Sequence, residues 1–244
     1  MIVEPLSPVP LHPVRRPVFT QHWGELAFLH WPVDPALVAP LLPPVTTPDL
    51  LDGRTWVGLV PFHMSRVRIL GTPPLPHLSA FAETNVRLYA VDGDGRRGVV
   101  FRSLEAARLL PVLAARWTYH LPYLWARMRL ERDGDVRTYT TSRRWPGPRG
   151  AGGAVSLRVG ERVEPDELAN FLTARWGLYS TWYGGRSAWA PVDHEPWPLH
   201  AAELLALDDD LVTTAGLPAP QGAPHVLFSP GVTVRIGRPT LLPR

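Results

Sequence analysis

Cysteine and lysine are both missing from the 244 residues, so all 25 basic side chains are arginine. Without cysteine there are no disulfides, no thiolate nucleophile and no cysteine-ligated zinc. Without lysine no side chain offers the primary amine that Schiff-base chemistry needs. A coding bias towards G and C is sufficient cause for the arginine preference, and the chemical consequence is the same. Runs are missing too. No apolar stretch approaches the ~18–20 residues needed to span a bilayer, and prolines interrupt MIVEPLSPVPLHPVRRPVF where a signal peptide needs a continuous apolar segment. A cytoplasmic protein without membrane attachment is expected. The basic residues come as isolated pairs (Arg15-Arg16, Arg96-Arg97, Arg143-Arg144) among 22 acidic residues, for a formal charge of +3. None forms the run of about 5–8 cations that marks a nucleic-acid patch, so no nucleic-acid partner is expected.

Catalytic signatures are equally scarce. There is no G-x-S-x-G elbow, P-loop, H-E-x-x-H pair or dinucleotide fingerprint, and GDGRRG reads as a hairpin turn. The nine histidines show no ligand spacing. His30, His63, His194 and His200 fall in apolar or aromatic surroundings that suit hydrogen-bonding structural residues. Neither a metal nor a cofactor is expected.

What is present is an ordinary globular composition, 45% hydrophobic and 19% charged, with enough apolar residues for a sizeable core. The Pro-rich stretch 1–18 predicts an extended arm ahead of a single β-rich domain over 19–244. Strands are expected at 23–31, 55–64, 156–163, 178–183, 225–229 and 232–236. Pro61 makes the second of these an edge or a bulge. Segment 200–207 reads as strand or helix. Two hairpins stand out, 85–91 with 98–104 across DGDGRR, and 124–131 with 136–142 across DGD. Helices are expected at 34–42, capped by Asp34, at 105–117, kinked at Pro111, and at 165–176. Stretch 144–153 reads as a loop. Strands joined by hairpins argue for an α+β protein, a mostly antiparallel sheet that closes on itself with a few peripheral helices.

Two stretches concentrate polar chemistry. On a strand, FAETNVRLY (81–89) puts Glu83, Asn85 and Arg87 on one face and Thr84, Val86 and Leu88 on the other. That polar face is either a solvated exterior or the wall of an enclosed site. ARWTYHLPY (115–123) places Arg116, Tyr119, His120 and Tyr123 where a helix runs out before Pro122. Taken alone, this is either a helix terminus packing aromatics on the sheet or part of a site.

Several segments, in order, carry a resemblance: LAFLHWPVDPALVAPLLP, WVGLVPFHM, FAETNVRLY, GVVFRSLEA, AARWTYHLPYLWARM, LANFLTARWGLY and DHEPWPLHAA. Together they resemble the YqjF-like family of unknown function, which is related to the acetoacetate-decarboxylase-like superfamily. The resemblance implies a twisted antiparallel barrel or cone around an internal pocket. In the decarboxylases an arginine is followed six residues later by a proline and then by the Schiff-base lysine. Arg116 and Pro122 keep that spacing, but Tyr123 stands at the lysine position and Leu124 at the next. Glu83 is similar to the pocket glutamate of those enzymes.

The resemblance therefore implies a small-molecule pocket in which imine chemistry is impossible. The expected enzyme is a lyase, isomerase or hydrolase working by acid–base chemistry on a carbonyl or carboxylate compound. Glu83 would be the acid or base, Tyr123 the hydrogen-bond donor, Arg87 or Arg116 the carboxylate anchor beside Asn85, and His63 or His120 a proton relay. The alternative is a non-catalytic binder of an organic acid. A structural or interaction protein would need the polar face outside. Homo-oligomerisation stays open.

Overall fold

A computed structural model describes residues 2–70, 80–108 and 120–243. The chain enters through β1 (Phe19–Val33), then α1 (Pro35–Val38), β2 (Thr46–Pro48) and β3 (Thr55–Ile69). Next come β4 (Phe81–Asp92), β5 (Arg97–Ala106), β6 (Tyr123–Asp133), β7 (Val136–Trp145) and β8 (Gly152–Arg162). Helix α2 (Glu167–Thr173) leads into β9 (Gly177–Trp182), β10 (Arg186–His194) and β11 (His200–Asp209). After α3 (Leu211–Thr214) the chain closes with β12 (His225–Ile236) and β13 (Thr240–Leu241).

The strands form one mostly antiparallel sheet whose ladders close on themselves twice. One circuit runs β1–β3–β4–β5–β9–β10–β12 and back to β1. The other shares β12, β1, β3, β4 and β5 and returns through β6, β7, β8 and β11. Each circuit holds its own apolar core. Phe28, Phe62, Tyr89, Phe171 and Val234 pack in the first, and Leu29, Trp31, Leu88, Leu157 and Phe228 in the second. Runs of consecutive residues in the shared strands are consequently buried on both faces. Throughout β4, for instance, every residue is buried apart from Ala82. The alternation of FAETNVRLY thus separates two interiors, which is why one face stays polar without being outside.

Several local expectations are refined. Pro61 lies inside β3, which pairs with β1 on one side and β4 on the other, so it marks no edge. Its missing N–H falls where the β1–β3 ladder breaks between Gly24 and Leu29, at a bulge with Glu25 at φ 53°. Glu105 and Ala106, expected to open a helix, instead end β5, in register with Thr84 and Glu83. Residues 109–117 of that expected helix lie outside the described residues. Segment 200–207 is strand, and the two expected strands around Pro230-Gly231 are one. Strand β10 was not anticipated, because Pro191 interrupts its pattern. Helix 34–42 is a single turn followed by a 3-10 turn, with Asp34 accepting from the Ala36 N–H at 2.8 Å. The arm packs down on the core: the Val14 N–H donates to Asp193 and Trp176 Nε1–H to the Ser7 carbonyl.

Helix α2 delivers the Leu172 carbonyl, and Arg175 just beyond its end, to the first core. Asp166 caps it, accepting from the Ala169 N–H at 2.7 Å. Replacing Asp166 by Ala removes that acceptor and should cost about 1 kcal/mol, a fall in Tm of roughly 2–4 °C by thermal denaturation. An unchanged Tm would mean that tertiary packing alone holds the helix.

Candidate functional site

Strand β4 supplies the centre of the site. Glu83, Asn85 and Arg87 are 2%, 5% and 6% exposed, and all three side chains project into the first core. The carboxyl of Glu83 is hydrogen-bonded to the hydroxyl of Tyr123 at the start of β6. The parallel β5–β6 ladder positions this contact, with Leu104 in register with Tyr123 and the Leu104 N–H donating to the Pro122 carbonyl at 3.1 Å. Burial pushes the Glu83 carboxyl up to about 8, against the opposing pull of the Tyr123 hydrogen bond, and the nearby Glu105 charge pushes the same way as burial. Burial also holds the Tyr123 phenol well above its usual range, with Glu83 adding to it. At neutral pH both partners therefore keep their protons. Glu83 Oε2 and Asn85 Oδ1 are buried with no hydrogen-bond partner among the described residues.

Further along β4, Arg87 donates from Nε to the Tyr89 hydroxyl at 3.0 Å and from Nη2 to the Leu172 carbonyl of α2 at 3.0 Å. The Tyr89 oxygen lies 2.7 Å from His30 Nε2, with the fully buried His30 completing the network. Asn85 and Arg87 line an internal cavity with Thr173, Arg175 and His194, walled by Trp23, Phe62, Phe101 and Trp197. Its free volume is about 30 Å³. Burial pushes His194 down to about 4, so its imidazole is neutral there.

The remaining sequence-nominated residues do not join this group. Phe62 is the register partner of Glu83 on β3, and His63 next to it turns to the opposite face, among Arg132, Glu25 and His22. His120 has φ 53°, and its ring stacks on Trp182 at 4.5 Å and meets Tyr183 edge-on at 4.5 Å. It lines a separate cavity of about 170 Å³ with Arg102, Pro122 and Ser180. Arg116 lies outside the described residues. Conversely, Arg175, Asp49 and Tyr89 escaped sequence reasoning. Arg175 offered one signal, a cation inside the aromatic string FLTARWGLY; Asp49 offered none, since it meets Arg175 only through the fold. Among the described residues, no group of three or more His, Asp or Glu converges on a metal position.

Known proteins share both the sequence pattern and this architecture. A model of the DUF2071 family, described as an uncharacterized conserved protein, matches residues 20–233. The uncharacterized protein YqjF of Bacillus subtilis is 33% identical over 213 residues, covering 87% of each chain. An acetoacetate decarboxylase superposes with a TM-score of 0.65 at 14% identity, over 99% of this chain and 95% of its own. The enduracididine biosynthesis enzyme MppR, complexed with pyruvate, gives 0.63 at 17% identity, over 93% and 91%. An acetoacetate-decarboxylase-like enzyme from Sphingomonas wittichii gives 0.60 at 14% identity, over 93% of both chains. These likenesses establish the acetoacetate-decarboxylase-like fold, and the sequence match establishes the family. The chain belongs to the DUF2071 family of YqjF-like proteins.

Proposed function

We propose that this protein acts on a small carbonyl or carboxylate compound by proton transfer, with Glu83 and Tyr123 as the acid pair. The reading rests on one observation: a buried carboxyl, pushed up to about 8 and bonded to a phenol, keeps one oxygen without a partner. With the phenol donating to one carboxyl oxygen, the protonated carboxyl keeps an O–H on the other that can donate to a carbonyl or enolate oxygen, as in sites that stabilise developing oxyanions. Because the chain has no lysine, catalysis would proceed without a covalent imine. Asn85, and Arg87 beyond it on the same face, form the polar wall against which such a compound would be oriented. An isomerase, lyase or hydrolase of this kind would draw about 10²–10⁴-fold of its acceleration from general acid–base action. The alternative, a binder of an organic acid without turnover, would use the same residues.

The test is proton exchange at carbon. Small oxo acids would be incubated with the protein in deuterated water, and loss of the α-proton followed by NMR. Binding would be read in parallel from quenching of the ten tryptophans. Exchange that falls roughly 100-fold in Tyr123→Phe is the expected result. Binding without exchange selects the alternative. Neither binding nor exchange across the panel overturns the reading. Thermal stability does not discriminate here. Because the Tyr123 hydroxyl is bonded to Glu83, its loss costs about 0.5–1.5 kcal/mol whether or not it is catalytic.

A further inference from the structure

We infer that the cavity between Arg87, Arg175 and Asn85 is a binding site for one halide-sized anion. Arg87, Arg97 and Arg175 cluster around Tyr89 and Phe171, with guanidinium carbons 4.2–5.9 Å from those ring centres. A guanidinium cannot shed its proton in a protein, so a buried one needs an acidic or strongly accepting partner. Asp49 serves two of the three: Arg97 Nη1 reaches its oxygens at 2.7 and 2.8 Å, and Arg175 Nη1 bonds to Oδ2. Arg87 has the Tyr89 hydroxyl, His30 and a main-chain carbonyl as described partners, none of them a carboxylate.

Other acidic groups do not restore the balance. The Glu4 carboxyl, on the arm beside Arg97 and hydrogen-bonded to His12 at 2.6 Å, still leaves two carboxylates, Asp49 and Glu4, against three guanidiniums. Glu83 holds its proton at neutral pH. The cluster is therefore net positive in a low-dielectric interior, a costly arrangement unless a negative charge joins it.

The cavity offers the place. Arg175 is 5% exposed and lines it, and its Nη2 is buried without a hydrogen-bond partner among the described residues. Arg87 lines the same space from β4. Asn85 lines it as well, its Oδ1 also unpartnered, and a half-turn of the amide would present N–H donors instead. The free volume of about 30 Å³ is close to one water's share of the liquid, enough to admit a single small ion. Aromatic walls complete an enclosure suited to a weakly hydrated anion. The site shares Asn85 and Arg87 with the wall proposed above, but halide binding needs neither the Glu83 proton nor the Tyr123 hydroxyl, so either reading can fail without the other.

The test uses the full chain in gluconate buffer, titrated with sodium bromide or chloride at constant ionic strength while Tm is recorded. Specific binding predicts a saturable rise, roughly 5–10 °C at a hundredfold excess over Kd. Arg87→Met should abolish the halide response. Crystals soaked in bromide provide a second measurement should that variant fail to fold, with an anomalous peak expected between Arg87, Arg175 and Asn85. Three outcomes overturn the inference: equal stabilisation by gluconate and bromide, no peak at saturating bromide, or a response to acetate without one to bromide.

Discussion

Glu105→Gln is expected to destabilise the protein by about 3–5 kcal/mol, far more than an ordinary polar substitution. Glu105 is completely buried on β5, and Arg143 on β7 is 5% exposed. Arg143 donates to Glu105 Oε1 from both Nε, at 3.1 Å, and Nη2, while Ser103 Oγ donates to Oε2 at 3.1 Å. The substitution keeps the shape but leaves a guanidinium buried with no counter-charge and no means of neutralising itself. At 2–4 °C per kcal/mol, Tm should fall by roughly 6–20 °C. Arg143→Met is expected to be milder in acid, because the carboxyl stranded by it can take up a proton. Replacing both residues with apolar ones should recover much of the loss, as is common when a whole buried pair is removed. A Glu105→Gln loss below about 1 kcal/mol would show that the pair contributes nothing net.

The pair matters because of where it sits. Hairpin β6–β7 joins β5 through only three register pairs, Leu104–Tyr123 to Ala106–Trp125. Glu105–Arg143 and the 3.1 Å bond between the Thr84 and Thr141 hydroxyls reinforce that junction from inside the second circuit. Since Tyr123 opens β6, the second circuit's polar contacts also fix the phenol that meets Glu83 in the first. The charge of Glu105, on the far side of the sheet, helps keep Glu83 protonated.

How far the fold and the site were legible in the sequence depends on range. Period-two alternation in FAETNVRLY set Glu83, Asn85 and Arg87 on one face, because a strand's side-chain directions are local. Whether that face looked into solvent or an interior depended on β5 closing against β4 and on the strands beyond, which no local pattern encodes. Tyr123 was singled out only through the resemblance to the decarboxylases, whose motif spacing Arg116 and Pro122 keep. Arg175 and Asp49 are separated by 126 residues and meet only in the fold, so neither pattern nor spacing could pair them. Glu105 was misplaced on a helix because EAARLL has helical spacing, whereas its register opposite Thr84 extends the hairpin by two residues. Tertiary pairing overrode local propensity there.

Raising the pH should also weaken the fold, through Glu83. Its carboxyl is pushed from an ordinary 4.5 to about 8 in the folded protein. Below about pH 4.5 it is protonated in folded and unfolded chains alike, and its burial carries no ionisation penalty. As pH rises, the unfolded state releases this proton first, so the folded state binds more protons and stability falls. The loss runs from about pH 4.5 to the folded value near 8, where it levels off. At 1.36 kcal/mol per unit the whole span amounts to roughly 4–5 kcal/mol. Glu83→Gln has no proton to lose, so its stability relative to the parent should climb across this window. The measurement is a pair of urea denaturation series from pH 4 to 9. A difference between parent and variant that stays flat with pH would place the carboxyl near its ordinary range. That would remove the protonated acid on which the proposed chemistry depends. A difference that grows by several kcal/mol, while Glu83→Gln also loses proton exchange on oxo acids, would tie the stability cost and the chemistry to the same proton. Such a coupling is what a functional site held at the expense of stability should show.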